Sequence, residues 1–296
     1  MHISVILCTR NRASSLRKTL EALSRMSAPP DLQWEVLVVD NNSDDDTLQV
    51  VDAFDRTSEL NVRYIWEPRL GKSRALNTGM NHACGEILAF IDDDIFPGQD
   101  WLLVMRREFS ADPLLGLISG RVELYDPRDL PMTIRRCAER SEIKTLDQVF
   151  ELPVGCNFAV RRELVHHVGL FDPEFGPGGK FGPAEDLDFF YRAWRAGEKL
   201  VYVPSLFVLH AHGRKSVEEG LKLRCDYLKS RGAFYAKHIL KRDKPAAKAM
   251  YWELNMPVPR WLVNRNSRRD KTWLLKGFGA YVLTRTYGPF ATASGA

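Results

Sequence analysis

Three consecutive carboxylates, Asp92, Asp93 and Asp94, close an unbroken apolar run from Ile87 to Ile91, and the chain turns just beyond at Pro97-Gly98. Adjacent carboxylates repel one another and compete for water. They are costly unless solvated or neutralised by a cation. Side chains alternate along an extended segment, which predicts that Asp92 and Asp94 face the same way. An Asp-x-Asp at the carboxyl end of a buried strand is placed to hold a hard divalent cation through oxygen ligands. A solvated acidic turn is the plainer reading of the three residues alone, so their surroundings decide.

The elements that would position them alternate between strand and helix. Ser4–Cys8 is apolar and ends in the polar loop Thr9-Arg10-Asn11-Arg12. A helix follows, capped by Ser14 or Ser15, with Leu16, Leu20 and Leu23 on one face. Val36–Val39 is a second buried strand, ending at Asp40, and an acidic cap opens a helix over 44–54. Val62–Trp66 is a third strand, ending at Glu67, and Gly71 opens a helix carrying Leu76 and Met80. The run Ile87–Ile91 is the fourth strand. Strand and helix in alternation, joined by short loops, predict a parallel α/β sheet whose ligands bind beyond the strands' carboxyl ends. Thr9–Arg12, Asp40, Glu67 and Asp92–Asp94 all fall there. Farther on, 101–109 reads as a helix, 114–122 and 153–160 as strands, and 127–150 as irregular. The Gly/Pro loop 176–183 leads into Glu185-Asp186 and a helix that stops at Gly197. Two short strands, 200–203 and 206–209, end at His210-Ala211-His212.

Composition narrows the classes. A chain of 296 residues with 45% hydrophobic and 27% charged content is globular and large enough for one domain plus an extension. It has no apolar run of 18 residues, so no transmembrane helix is expected. The N-terminus reads as a first strand rather than a signal peptide. Five scattered cysteines without a C-x-x-C pair fit reduced thiols in a cytosolic protein. Charge is divided unevenly. Residues 214–296 hold 18 Lys/Arg and 6 Asp/Glu, or +12, whereas residues 1–213 hold 24 and 32, or −8. That split predicts two regions with different partners.

Five motifs, in this order, resemble the family 2 glycosyltransferases: Ser4-Val5-Ile6-Leu7-Cys8-Thr9-Arg10-Asn11-Arg12, Val38-Val39-Asp40-Asn41-Asn42-Ser43, Gly71-Lys72-Ser73-Arg74-Ala75-Leu76-Asn77-Thr78-Gly79, Phe90-Ile91-Asp92-Asp93-Asp94 and Glu185-Asp186. The resemblance covers about residues 1–213. One departure is Arg10, where an aromatic often follows the first-strand Thr in this family. The resemblance implies a GT-A-type, Rossmann-like mixed sheet flanked by helices, to which this chain adds a mostly helical C-terminal extension. Residues 1–213 would be the catalytic domain, with a nucleotide-binding half at about 1–110 and an acceptor half at about 111–213.

The resemblance also implies an inverting transfer of sugar from a nucleotide-sugar donor, a UDP-sugar above all, to a hydroxyl of a glycan or lipid-linked acceptor. Thr9, Arg12 and Asp40 would surround the base, and Lys72 the sugar or diphosphate. Asp92, with Asp93 beside it, would meet the nucleotide at the ribose, and Asp94 would ligate Mn²⁺ or Mg²⁺. His210 or His212 could complete the metal shell, and the two alternate so as to share a face. Asp186, with Glu185 as its neighbour, would take the acceptor's proton. The loop 176–183 would order over the donor or serve as a plain connector.

Two other classes compete with this reading. Nucleotidyl transfer to sugar phosphates usually needs a Gly-rich loop after the first strand, and Thr9–Ala13 has no glycine. A non-catalytic nucleotide- or carbohydrate-binding module would have lost Asp94 or Asp186. Residues 214–296 could dock on an anionic membrane, leaving the enzyme cytoplasmic and peripheral, or pack on the acidic catalytic region. Nucleic-acid binding is the weaker option. The membrane reading rests on an apolar stripe of Val217, Leu221, Leu228, Tyr235 and Ile239. It also rests on Trp252, Trp261, Trp273, Phe278 and Tyr281 set among Arg260, Arg265, Arg268, Arg269 and Lys271.

Overall fold

The computed structural model describes residues 1–255 and 267–287. The chain divides into two compact units, Met1–Pro173 with Glu185–Lys215, and Glu174–Ala184 with Ser216–Ala296.

The first unit opens with four strands alternating with three helices: β1 (His2–Thr9), α1 (Ala13–Ser24), β2 (Gln33–Asp40), α2 (Thr47–Thr57), β3 (Val62–Trp66), α3 (Lys72–His82) and β4 (Ile87–Asp92). These strands are parallel and neighbour one another in the order β3-β2-β1-β4, so their carboxyl ends share one sheet edge. Apolar runs in β1, β2 and β4 are buried because helices cover both faces. Close approach is enforced at Gly79 of α3, where a Cβ would lie 2.6 Å from Ile6. Helix α1 starts differently from its sequence reading. It has no serine cap, and the Ala13 N–H donates to Asp45 Oδ2 of the β2–α2 loop at 2.8 Å. Asp45 also accepts from the N–H and hydroxyl of Thr47, so one carboxylate serves two helix starts, and α2 begins at Thr47 rather than at 44.

The sheet continues through β5 (Ile95–Pro97), α4 (Trp101–Ala111), β6 (Leu115–Leu124), β7 (Ser141–Glu142), α5 (Leu146–Glu151), β8 (Asn157–Arg161), α6 (Arg162–Val168), α7 (Glu185–Arg195) and β9 (Lys199–His210). Its full order is β3-β2-β1-β4-β8-β6-β9-β5, with β7 paired to β9 and β8 antiparallel to both its neighbours. Two expectations are corrected here. The stretch 127–150 carries β7 and the start of α5, which a Thr145–Gln148 capping box opens. The two short strands are one strand, β9. Its break at Pro204-Ser205 is absorbed by a register shift opposite Gly120-Arg121, and the Asn157 amide donates to the freed Leu206 carbonyl at 2.8 Å.

The second unit holds α8 (Val217–Leu240), α9 (Lys244–Asn255) and α10 (Ser267–Tyr287). No described helix is long and apolar enough to cross a membrane. The five residues read as an apolar stripe do share one face of α8, but that face is not uniformly exposed. Val217 and Leu221 are exposed, whereas Tyr235 is buried with its hydroxyl donating to Glu253 at 2.7 Å. Burial in α8 runs instead along its second half, from Ser230 to His238. Of the aromatic and basic residues read with the stripe, Arg260, Trp261 and Arg265 lie outside the described residues. Loop 174–184 belongs to this unit and is anchored in it, with Phe175 and Phe181 packed around Tyr281.

Candidate active site

The edge formed by β1, β2 and β4 collects most of the candidate residues. β4 ends at Asp92, and Asp93-Asp94 form the turn into β5. The turn ends the alternation expected of an extended segment, so Asp92 and Asp94 do not act as one pair. Asp92 faces Lys72 Nζ at 2.6 Å. Asp93 and Asp94 instead share Arg12, whose two terminal nitrogens lie 2.8 Å from Asp93 Oδ1 and 2.9 Å from Asp94 Oδ2. Arg12, expected near the base with Asp40, therefore sits on the acidic turn. Thr9 is also turned inward and donates to Asp93 Oδ2 at 2.7 Å. The Asp93 carbonyl accepts from Thr19 of α1, and the Ala211 N–H donates to the Asp94 carbonyl. Both sides of the turn are thus pinned.

The adjacent acids of the turn titrate in opposite directions. Burial pushes Asp93 up to about 7, against the pull of Arg12 and Thr9. Asp94 is equally enclosed, yet His210 and Arg12 hold it well below the usual carboxylate range. Asp94 is therefore charged at neutral pH. Its Oδ1 is buried without a hydrogen-bond partner and lies 3.4 Å from His210 Nε2. An orphaned carboxylate oxygen beside an imidazole nitrogen suits a divalent cation. Among the described residues no cluster of three or more His, Cys, Asp or Glu makes a closed metal cage. His212 is a different case. Its Nδ1 accepts from the Arg214 N–H at 3.0 Å and its Nε2 faces the Leu130 carbonyl at 3.1 Å. Both nitrogens are occupied by backbone, although its ring meets that of His210 edge-on at 5.1 Å, so the two histidines lie together as expected while His210 alone approaches Asp94.

At the end of β2, Asp40 is buried. Its Oδ1 accepts from the Ser43 N–H at 2.9 Å and its Oδ2 from the Tyr64 hydroxyl at 2.7 Å. Neighbouring Asn41 ties three elements together. Its Oδ1 accepts from the Gly71 N–H, and its amide donates to the carbonyls of Glu67 and Arg69. This knot fixes the start of α3, and with it Lys72. Gly71 has φ +130°, a backbone that side-chain-bearing residues rarely adopt. Tyr64 and Asn41 were not read as site residues, because partners 20 or more positions away leave no local pattern.

Glu185 and Asp186 open α7, which is held to the sheet by stacked rings. Phe158 lies 4.5 Å from Phe90 and 5.0 Å from Phe190, and Phe171 lies 4.6 Å from Phe189. Each buried phenylalanine contributes roughly 1.5–3 kcal/mol, enough in sum to fix a catalytic helix. Gly155 leaves room for Asp186, since a Cβ there would lie 2.4 Å from Asp186 Oδ2. Lys72 joins the two motifs, with its Nζ 2.6 Å from Asp92 and 3.7 Å from Glu185 Oε1. Burial would discharge this lysine, but Asp92 and Glu185 keep it firmly protonated.

Burial also pushes Glu185 up to about 7, against Lys72 and with the repulsion of Asp186. Its Oε2 has no hydrogen-bond partner. A raised acid favours the folded state when protonated, so its contribution is present below pH 4.5 and is lost as pH rises through 7. Glu185→Gln should therefore raise stability near pH 8 by about 3 kcal/mol, following the size of the shift, and change it little near pH 4. Thermal melts of both proteins across pH, without nucleotide or metal, measure this. Parallel curves would contradict it.

The mixed sheet, the helices on its two faces and the acidic turn at its carboxyl edge define the GT-A class of fold. A glycosyl transferase family 2 model matches residues 4–169, and the chain belongs to that family. Glycosyltransferase AglE of Haloferax volcanii is 31% identical over 216 residues, 70% of this chain and 66% of that one. The succinoglycan biosynthesis protein ExoM of Rhizobium meliloti is 28% identical over 217 residues, again 70% and 66%. The chain thus spans just under two thirds of these curated relatives. Two solved structures share its fold. The mannosyltransferase PcManGT of Pyrobaculum calidifontis, in complex with GDP-Man and Mn²⁺, has a TM-score of 0.64 at 21% identity, covering 97% of this chain and 87% of its own. TarS 1–349 of S. aureus, in complex with UDP-GlcNAc, has a TM-score of 0.66 at 17% identity, covering 96% and 81%.

Proposed function

We propose that this chain transfers a sugar, with inversion and metal assistance, from a UDP-sugar to an acceptor hydroxyl. The observation that carries the reading is Lys72, which joins the acidic strand end to the Glu185-Asp186 pair across more than 90 residues of sequence. A transferase needs a donor-binding group and a proton acceptor in one place, and this lysine marks that place.

Asp94 and His210 are the protein groups that would hold a divalent cation, and the donor's phosphates with water would complete its shell. The cation would stabilise the negative charge that grows on the diphosphate leaving group. Asp92 would meet the ribose, and Lys72, at the first turn of α3, would face the phosphates where the helix N-terminus also favours anions. A carboxylate has about four acceptor positions. Asp40 uses one on Ser43 and one on Tyr64, which leaves capacity for a ring N–H of uracil. Thr9, Arg12 and Asp93 hold the shape and charge of the turn. His212 orients the chain after β9. Asp186 would remove the acceptor proton as the hydroxyl attacks the face opposite the leaving diphosphate, which inverts the anomeric carbon.

The test is a donor screen. Thermal shift and slow hydrolysis are measured across UDP-, GDP- and dTDP-sugars with Mn²⁺ or Mg²⁺. A UDP-sugar should give the largest shift and the most hydrolysis. Preference for a GDP-sugar would overturn the pyrimidine role of Asp40, preference for a dTDP-sugar would overturn the UDP assignment while keeping the ring N–H contact, and a response to none would overturn the reading.

A further inference from the structure

We propose that a cleft in the second unit binds the oxyanion, phosphate ester or carboxylate, of an acidic acceptor. The proposal rests on the transferase reading above. The cleft has a volume of about 590 Å³ and lies between loop 177–183 on one side and α8 and α10 on the other. That volume falls within the range of small-ligand sites and suits a single sugar residue.

Its walls are built by close backbone approach. A Cβ on Gly232 of α8 would lie 1.9 Å from the Leu274 carbonyl oxygen of α10, and one on Gly277 would lie 1.8 Å from the Lys229 carbonyl oxygen. Gly182 has φ +73°, and a Cβ on it would lie 2.6 Å from Ser230 Oγ. Glycine is required at all three positions, so the loop and both helices are held against one another. Phe181, also in the lining, is buried against Tyr281 and Phe175 and fixes the loop in place.

The charges in the cleft are unbalanced. Lys180, Lys229 and Lys276 line it against a single carboxylate, Asp226. Asp226 pairs with Lys229 at 3.6 Å. Lys229 and Lys276 both lie over the ring of Trp273, with their Nζ atoms 4.6 and 4.3 Å from its centroid. Two ammonium groups gathered on one indole repel each other, and a shared anion would relieve that repulsion. Neither Lys180 nor Lys276 has a carboxylate partner among the described residues. The loop that forms one wall runs directly into the reaction site in sequence, with Pro183 three residues before Asp186.

Calorimetry on the full chain tests this. UDP is first titrated with Mn²⁺ to report on the donor site; in a separate cell, with EDTA and UDP concentrated enough to fill the weaker metal-free site, inorganic pyrophosphate or D-glucuronate is titrated, with D-glucose as the neutral control. The wild type should bind at least one of the two anions and not glucose, and the preferred anion distinguishes a phosphate from a carboxylate. Lys180→Ala/Lys276→Ala should weaken that binding at least tenfold, whereas Lys180→Arg/Lys276→Arg should retain it. Asp226→Asn should tighten it several-fold, a gain that misfolding cannot produce. Wild-type protein that binds neither anion, or an alanine pair that binds as tightly as wild type, would overturn the proposal. So would release of phosphatidylglycerol vesicles by the alanine pair when neither small anion binds, which would make the cleft a membrane contact. The initial UDP titration reports separately on the donor site, so its failure would count against the transferase reading alone.

Discussion

Asp94→Ala is expected to abolish sugar transfer and to remove most of the metal-dependent part of nucleotide affinity. The argument starts from burial. Asp94 is almost fully enclosed, yet it is held ionised by His210 and Arg12 with one oxygen left unpartnered. An ionised buried oxygen without a partner is expensive, and a bound cation would repay that cost. Alanine removes the charge and the ligand together and leaves His210 alone. A leaving diphosphate without its counter-charge loses several kcal/mol of transition-state stabilisation, so turnover should fall by three or more orders of magnitude. The fold should survive, because β4 ends before this residue and its core contacts lie in Ile87–Ile91. Progress curves and UDP titrations with Mn²⁺ measure both effects. Activity within tenfold of wild type would remove Asp94 from the metal site.

Asp186→Asn separates chemistry from binding. Asparagine keeps the shape that Gly155 accommodates and can still accept from the Leu187 N–H, but it cannot take a proton. Turnover should fall by about 10² or more, the usual range for loss of a general base, while donor affinity stays near that of wild type. A helix-terminal acid serving only as a dipole partner would give the opposite pattern, with a small loss of stability and unchanged turnover. Steady-state kinetics beside a UDP-sugar titration distinguish the two.

Much of the fold was legible because burial on both faces writes itself as continuous apolar runs. Ser4–Cys8, Val36–Val39 and Ile87–Ile91 announced three strands, which lie side by side in the sheet, and the polar residues at their ends announced the edge that gathers the candidate site. The insertion of antiparallel β8 beside β4 was not legible, since pairing order is a long-range property. A proline in β9 reads as a break in a strand, and only the bulge that β9 makes opposite Gly120-Arg121, with the Asn157 amide, shows how it is tolerated.

In the site, residue types were easier to read than their directions. The alternation argument failed for Asp92 and Asp94 because a turn intervenes between them. His210 and His212 do stay together, with ring centroids 5.1 Å apart, but the backbone around His212 occupies its nitrogens and leaves His210 alone beside Asp94. The family resemblance implies a place near the base for Arg12, and its side chain rests on the acidic turn. Its actual partners lie more than 80 residues away, and no local spacing encodes that contact.

The central claim is that the acidic turn binds a nucleotide-sugar through a divalent cation. Calorimetric titration of UDP into the full chain, with Mn²⁺ and again with EDTA, tests it most directly. The account predicts tight one-to-one binding with Mn²⁺ and a loss of affinity of at least tenfold when the metal is removed. Equal affinity under the two conditions would contradict it.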